Sequence, residues 1–201
     1  MTEHTAVITG GSKGIGANLA SRLLEKGYKV VSIDRLLPEQ THTNFYHVQI
    51  DLLDADNVAH AATSIAKDHQ VSHLIHNAGL IWPNLVADVT PAEITGLTQL
   101  HLGSALSLLQ SFLPSMKSVG FGRMIFTGSR AALGVQNRTA YSASKAAIIG
   151  MSRTWALELA PCGITVNVVA PGPVQTDNFW EIIEMGSDRE TAIANSIPVG
   201  R

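Results

Sequence analysis

The sequence predicts one open α/β domain: a parallel sheet with helices on both faces. Three observations predict it. Short runs rich in Val and Ile alternate with longer segments of helical spacing along the chain. The runs are apolar throughout rather than alternating, the pattern of strands buried on both faces. The 201 residues fit one ordinary domain, with enough chain to bury roughly 70% of its unfolded surface without disulfide or metal staples.

The elements follow in order. Thr5–Thr9 is the first strand; it runs into a glycine-rich turn and then helical spacing over Ile15–Lys26. Tyr28–Ile33 and Phe45–Leu52 are the next strands, and the link from Asp34 to Phe45 is too short for an intervening helix. Ala55–Lys67 is helical and Val71–Asn77 is the fourth strand. Ala92–Leu100 leads into a helix over Gly103–Met116, before a fifth strand at Arg123–Thr127. A long helix spans Ala140–Ala160 and a sixth strand spans Gly163–Val169. Pro171–Gly200, with Pro171, Pro173 and Pro198, reads as a loop with short helices near Phe179–Glu184 and Arg189–Asn195. It leaves the C-terminal end of a strand, where open α/β sheets bind ligands. There is no internal repeat and no low-complexity stretch.

Composition narrows the function classes. Lys+Arg 14 against Asp+Glu 16 gives a net charge of −2, no footprint for nucleic acid or anionic lipid. Charged residues are 15% of the chain, against about 25% in a typical soluble protein, so much surface is hidden in a two-sided core or against further copies. Cys162 is a single cysteine and suits a reducing compartment. The N-terminus shows neither a basic nor an apolar signal region, and no apolar run reaches a membrane span. These features predict a cytoplasmic protein that binds neither nucleic acid nor membrane.

The first turn reads Gly10-Gly11-Ser12-Lys13-Gly14-Ile15-Gly16. Glycine is required where backbone turns tightly or approaches a pyrophosphate, and the helix N-terminus that follows offers N–H groups to phosphates. Asp34 closes the second strand 18 residues after Gly16. A carboxylate there accepts both hydroxyls of an adenosine ribose and repels a 2′-phosphate, which points to NAD. Lys13 and Arg35 pull the other way, since either neutralises such a phosphate, and NADP stays open.

Tyr141 and Lys145, at i and i+4, share one face of the long helix. A phenol with a pKa near 10 is a poor base at neutral pH, and an ammonium one turn away favours its ionised form. Ser129 lies twelve residues earlier, just past the fifth strand and on the same sheet edge as the glycine turn.

With these residues in view, the chain resembles a short-chain dehydrogenase/reductase over essentially its whole length. Thr9–Gly16 resembles the family's cofactor turn, His76-Asn77-Ala78-Gly79 its Asn-Asn-Ala-Gly, and Tyr141–Lys145 its active-site motif. Asn167–Thr176 resembles its nicotinamide loop. The resemblance implies a Rossmann-type doubly wound sheet of order 3-2-1-4-5-6 over residues 1–201, with 171–201 as the substrate and nicotinamide loop region. It implies an oxidoreductase acting on a small alcohol or carbonyl substrate. Tyr141 would exchange the proton, Lys145 would lower its pKa and hold the nicotinamide ribose, and Ser129 would stabilise the reacting oxygen. Gly10, Ser12, Lys13, Gly14, Ile15, Gly16, Asp34 and Arg35 would hold the adenosine and phosphates. Asp51 and Leu52 would lie along the adenine, with Asn77, Ala78 and Gly79 beside the ribose. Pro171, Gly172, Val174 and Thr176 would form the nicotinamide loop.

Two histidines depart from the family pattern. His101 stands where the family has an asparagine that holds a relay water; an imidazole can bond a water or carry a proton near neutral pH. The bland alternative is a core histidine satisfied by a carbonyl. His76 replaces the first asparagine of its motif. No pair among the eight histidines has convincing ligand spacing, so no metal is expected. A cofactor-binding scaffold or sensor without turnover is the rival of another class, and intact Ser129, Tyr141 and Lys145 argue against it.

Trp82, Phe179 and Trp180 are candidates for a substrate pocket or for loop anchors, and Arg130 and Arg138 for meeting a carboxylate. The short Asp34–Phe45 link, with Asp34, is similar to dehydrogenases that oxidise dihydroxy-cyclohexadiene carboxylates. The helices at 103–116 and 140–160 are apolar around most of their circumference, which predicts a homodimer or homotetramer. Family members continue past Ile197–Arg201 with another helix and strand, so the chain reads as C-terminally short, its final strand missing.

Overall fold

The computed structural model describes residues 4–181 and 183–199. Six parallel strands form one sheet: β1 (Thr5–Thr9), β2 (Lys29–Asp34), β3 (Phe45–Gln49), β4 (Val71–His76), β5 (Gly122–Thr127) and β6 (Ile164–Val169). Their order is β3-β2-β1-β4-β5-β6, as the resemblance implies. The central register pairs Val7 with Val31 on one side and Leu74 on the other. Among the described residues no strand pairs with the outer edge of β6.

The helices are α1 (Gly14–Glu25), α2 (Ala55–Asp68), α3 (Pro91–Thr98), α4 (Ser104–Val119), α5 (Thr139–Leu159), α6 (Asp177–Trp180) and α7 (Asp188–Asn195). One apolar core, with Val7, Leu74, Phe112 and Phe126, lies under α2, α4 and α5. A smaller one, with Ala6, Ile8, Ala20 and Leu24, lies under α1. Helices on both faces bury β1 and β2 almost throughout, whereas burial alternates along β5 and β6 and β3 is only partly covered, so the expectation of apolar runs holds for the centre of the sheet alone.

Three local findings differ from the sequence reading. β3 stops at Gln49 rather than Leu52: Ile50 N–H makes the last ladder bond, to the Asp34 carbonyl (3.2 Å), and Asp51 then caps a turn through Leu53 N–H (2.9 Å). Between α3 and α4 the chain forms a π-helical turn, Gln99–Gly103. The first loop helix begins at Asp177 and ends at Trp180, before most of the predicted Phe179–Glu184 span. Gly200 and Arg201 of the predicted C-terminal segment lie outside the described residues.

Candidate active site

The parallel sheet delivers the ends of β1, β2, β4, β5 and β6 to one edge, and a cavity of about 650 Å³ runs along it. Gly10, Lys13, Gly14 and Ile15 line one end, with Asp34 and Arg35. Asp51, Leu52, Asn77, Ala78 and Gly79 line its middle. Ser129, Tyr141 and Lys145 line it as well, as do Pro171, Gly172, Val174 and Thr176, the last 3.5 Å from where a Cβ on Gly14 would stand. Ser12, Gly16 and His101 are not among the residues that line it.

Gly10 and Gly16 shape the cradle. Gly10 has φ +68°, and a Cβ there would come within 2.9 Å of the Ala78 Cα. A Cβ on Gly16 would run into the Gly10 carbonyl. The backbone therefore crosses close to the start of α1, whose first amides are free to meet an anion. Asp34 is fixed by the same turn: Ser12 N–H donates to its Oδ2 (3.0 Å) and Leu36 N–H to its Oδ1 (3.1 Å). A tight glycine cradle, a helix N-terminus and a fixed carboxylate at the end of β2 fit a dinucleotide.

Thr9, to which the sequence reading gave no role, ties the sheet edge together. Its Oγ1 accepts from Asn77 N–H (3.0 Å) and Ala78 N–H (3.1 Å). Its own hydrogen therefore goes to His76 Nδ1 (3.0 Å), leaving Nε2 as the protonated nitrogen, which donates to the Leu100 carbonyl (3.2 Å). Leu100 belongs to the π-turn, so His76 joins the cofactor cradle to the segment carrying His101. Burial pushes the His76 pKa down to about 3, which keeps it neutral.

His101 is 1% exposed, and its ring meets that of Tyr141 edge-on at 5.7 Å. Ser144 gives its one hydrogen to the Tyr141 carbonyl (2.9 Å), so His101 Nδ1 carries the proton in their 2.8 Å bond. The opposite nitrogen, Nε2, is then a bare acceptor; it has no partner and faces Gly79, where a Cβ would lie 3.2 Å from it and 3.7 Å from Lys145 Nζ. Burial, then the Lys145 charge, holds the His101 pKa far below the ordinary range. This corrects the expectation of an imidazole carrying a proton near neutral pH. It also departs from the bland alternative, since the partner is a hydroxyl rather than a carbonyl.

Lys145 is 4% exposed and donates to the Thr127 carbonyl (2.6 Å) at the end of β5. Burial lowers its pKa to about 8. Its Nζ lies 5.6 Å from the centre of the Tyr141 ring. The Tyr141 phenol is raised, because burial outweighs a hydrogen bond with Ser129 and the charge of Arg138. A phenol lowered by Lys145 is therefore not what the free chain holds. Ser129 Oγ accepts from Ala131 N–H (3.1 Å), which sets its orientation beside Tyr141.

The aromatic candidates divide. Phe179 lines the cavity, whereas Trp82 lies over Gly96 of α3, where a Cβ would come within 2.8 Å of its ring. Trp82 is a loop anchor. Among the described residues no group of three or more His, Cys, Asp or Glu could hold a metal, and no helix is long and apolar enough to cross a membrane.

A dinucleotide cradle joined through one cavity to a Ser–Tyr–Lys cluster defines a class of nicotinamide-dependent oxidoreductases. The sequence matches the short chain dehydrogenase family model over residues 4–186, and the chain belongs to that family. It is 37% identical over 177 residues to the 3-oxoacyl-[acyl-carrier-protein] reductase MabA of Mycobacterium tuberculosis, covering 87% of this chain and 70% of that protein. The corresponding reductase FabG of Buchnera aphidicola is 32% identical over 209 residues, covering 100% and 84%. Among solved structures, a putative NAD(P)-dependent gluconate 5-dehydrogenase from Beutenbergia cavernae with bound NADP superposes with a TM-score of 0.89 at 30% identity, covering 100% of this chain and 84% of that one. The chain is thus an oxidoreductase of the CH–OH/carbonyl couple that uses a nicotinamide cofactor.

Proposed function

We propose that this protein interconverts a secondary alcohol and a ketone using NAD, with Tyr141 exchanging the proton at the substrate oxygen. The observation that carries this reading is the convergence of Ser129, Tyr141 and Lys145 on the cavity that the glycine cradle lines. When bound, the reduced nicotinamide supplies a hydride to the carbonyl carbon, and the oxidised form takes one from the alcohol carbon. Tyr141 is a neutral phenol in the free chain, the state that donates to a carbonyl oxygen. Ser129 holds that oxygen as charge develops on it. The Lys145 ammonium favours the phenolate left after transfer, and Tyr141 recovers its proton from solvent before the next turnover. His101 is a positioning residue in this scheme.

Asp34 supports NAD, because its fixed carboxylate repels a 2′-phosphate. NADP is the second reading: Lys13 and Arg35 line the same end of the cavity, and the related gluconate 5-dehydrogenase structure holds NADP. Fluorescence titration of both reduced cofactors decides. NADH is expected to bind more tightly than NADPH, and Asp34→Ala to strengthen NADPH binding at least about tenfold. NADPH binding more tightly to the unaltered protein overturns the NAD assignment. Association through α4 and α5 is also part of the reading. The outward face of α5 carries Ala143, Ala146, Ala147, Gly150 and Leu157, the last 81% exposed.

A further inference from the structure

We propose that the substrate carries a carboxylate, bound by Arg138 with Arg189 beside it, a few bonds from the reacting carbon. The inference rests on the reading of Tyr141 and Ser129 above. Arg138 precedes α5 immediately, three residues before Tyr141, and lines the cavity at the Tyr141 end. Its guanidinium is aimed before any ligand arrives: Nη1 donates to the Asn137 carbonyl (3.1 Å) and to Asn137 Oδ1 (2.7 Å). Asn137 has φ +53°, the one non-glycine residue with positive φ among those described. Such a backbone persists where its surroundings fix it, and it clusters at ligand clamps. A backbone bridge between Arg138 and Asn84 adds a second brace.

Charge at this end runs against the rest of the chain. Arg130, Arg138 and Arg189 line the cavity after the fifth strand's end, and Glu181 is the one acidic lining residue in that part of the chain, although the whole protein carries −2. Among the described residues neither Arg138 nor Arg189 forms an ion pair. Both line the cavity, and Arg189 stands near enough to oppose the Arg138 charge, after the larger effect of burial. An anion between them relieves that repulsion and gives each a partner. With Nη1 engaged by Asn137, Arg138 keeps its Nε–Nη2 edge open, a fork that matches a planar carboxylate. Val135, Phe179, Ile183 and Ile193 line the remaining wall, which suits an apolar body. The substrate class is therefore an oxo or hydroxy acid with an apolar body.

The test compares 3-oxocyclohexanecarboxylate with its methyl ester, followed by NADH and NADPH absorbance. A phosphorylated ketone of similar size and its unphosphorylated parent form a second pair. The unaltered protein is expected to favour the acid over the ester at least about tenfold in kcat/KM, and the ratio to fall toward one in Arg138→Gln and Arg189→Gln. Equal rates on acid and ester overturn the proposal. So does a preference that appears only in the phosphate pair, or a ratio unchanged by both substitutions. Calorimetric titration with cyclohexanecarboxylate separates this proposal from the proposed reaction. If no ketone is reduced, carboxylate binding lost in Arg138→Gln upholds the anion site while the proposed reaction fails. No carboxylate binding in that case overturns the site as well.

Discussion

Lys145 is 4% exposed beside Tyr141, and its pKa of about 8 lies inside the range of ordinary assays. If its ammonium supports Tyr141, ketone reduction loses rate as pH rises through about 8 and the lysine discharges. Lys145→Arg keeps the charge, so in that variant the alkaline limb moves upward by more than about one pH unit, because guanidinium stays protonated. A pH profile of kcat on both proteins reads the shift, and an unmoved limb assigns it to another group. Tyr141 shows why burial has to be weighed against charge. Sequence spacing puts a lysine one turn away and suggests a lowered phenol, but the free chain raises it. Whether burial or charge wins depends on solvent access, which spacing does not encode.

The π-turn at Gln99–Gly103 is the element that most changes the account of the site. The helical pattern continues through these residues, so the apolar spacing alone gave no signal of a wider turn, although such turns gather at functional sites. Only in three dimensions do the two histidines that depart from the family pattern meet, His76 on the Leu100 carbonyl and His101 next along the chain. By contrast, the strands, the glycine cradle and the Tyr141–Lys145 face were legible, because each follows from periodicity or from glycine chemistry within a short window. The Trp82 anchor and the Arg138–Arg189 pair were not, since partners far apart in sequence decide them. His76 carries a stability prediction. The unfolded chain takes up its proton near pH 6.5, the folded chain only near 3. Between these values the unfolded state holds the extra proton, so stability rises with pH and is lost as pH falls from 6.5 toward 3. His73, lowered by burial and by His4 and Arg123 to about 4, adds to the same slope. Urea midpoints against pH are expected to flatten by about one proton in His76→Phe. That variant also loses about 1–3 kcal/mol at neutral pH, because Thr9 Oγ1 and the Leu100 carbonyl lose their partner. An unchanged slope removes His76 from the network.

At the scale of the whole molecule, one sheet edge gathers both halves of the reaction. Strand ends set 67 residues apart, at Thr9 and His76, are joined by one hydrogen bond, and Lys145 reaches the end of β5 from α5. The proposed cofactor cradle and proton-transfer cluster are thus fixed to one frame, which is what a reaction sensitive to ångström placement needs. The outward faces of α4 and α5 carry Leu106 and Leu157 in contact with solvent in the single chain. Light scattering at micromolar concentration is expected to show a dimer or larger assembly, and Leu157→Glu to shift it toward monomer. A monomer in the unaltered protein contradicts association through this face. The most direct test of the central claim is turnover by Tyr141→Phe, which removes one hydroxyl and keeps the ring against His101. On whichever ketone the unaltered protein reduces, kcat is expected to fall at least about 100-fold while the cofactor Kd stays within about threefold. A Tyr141→Phe protein that keeps its kcat would contradict the account.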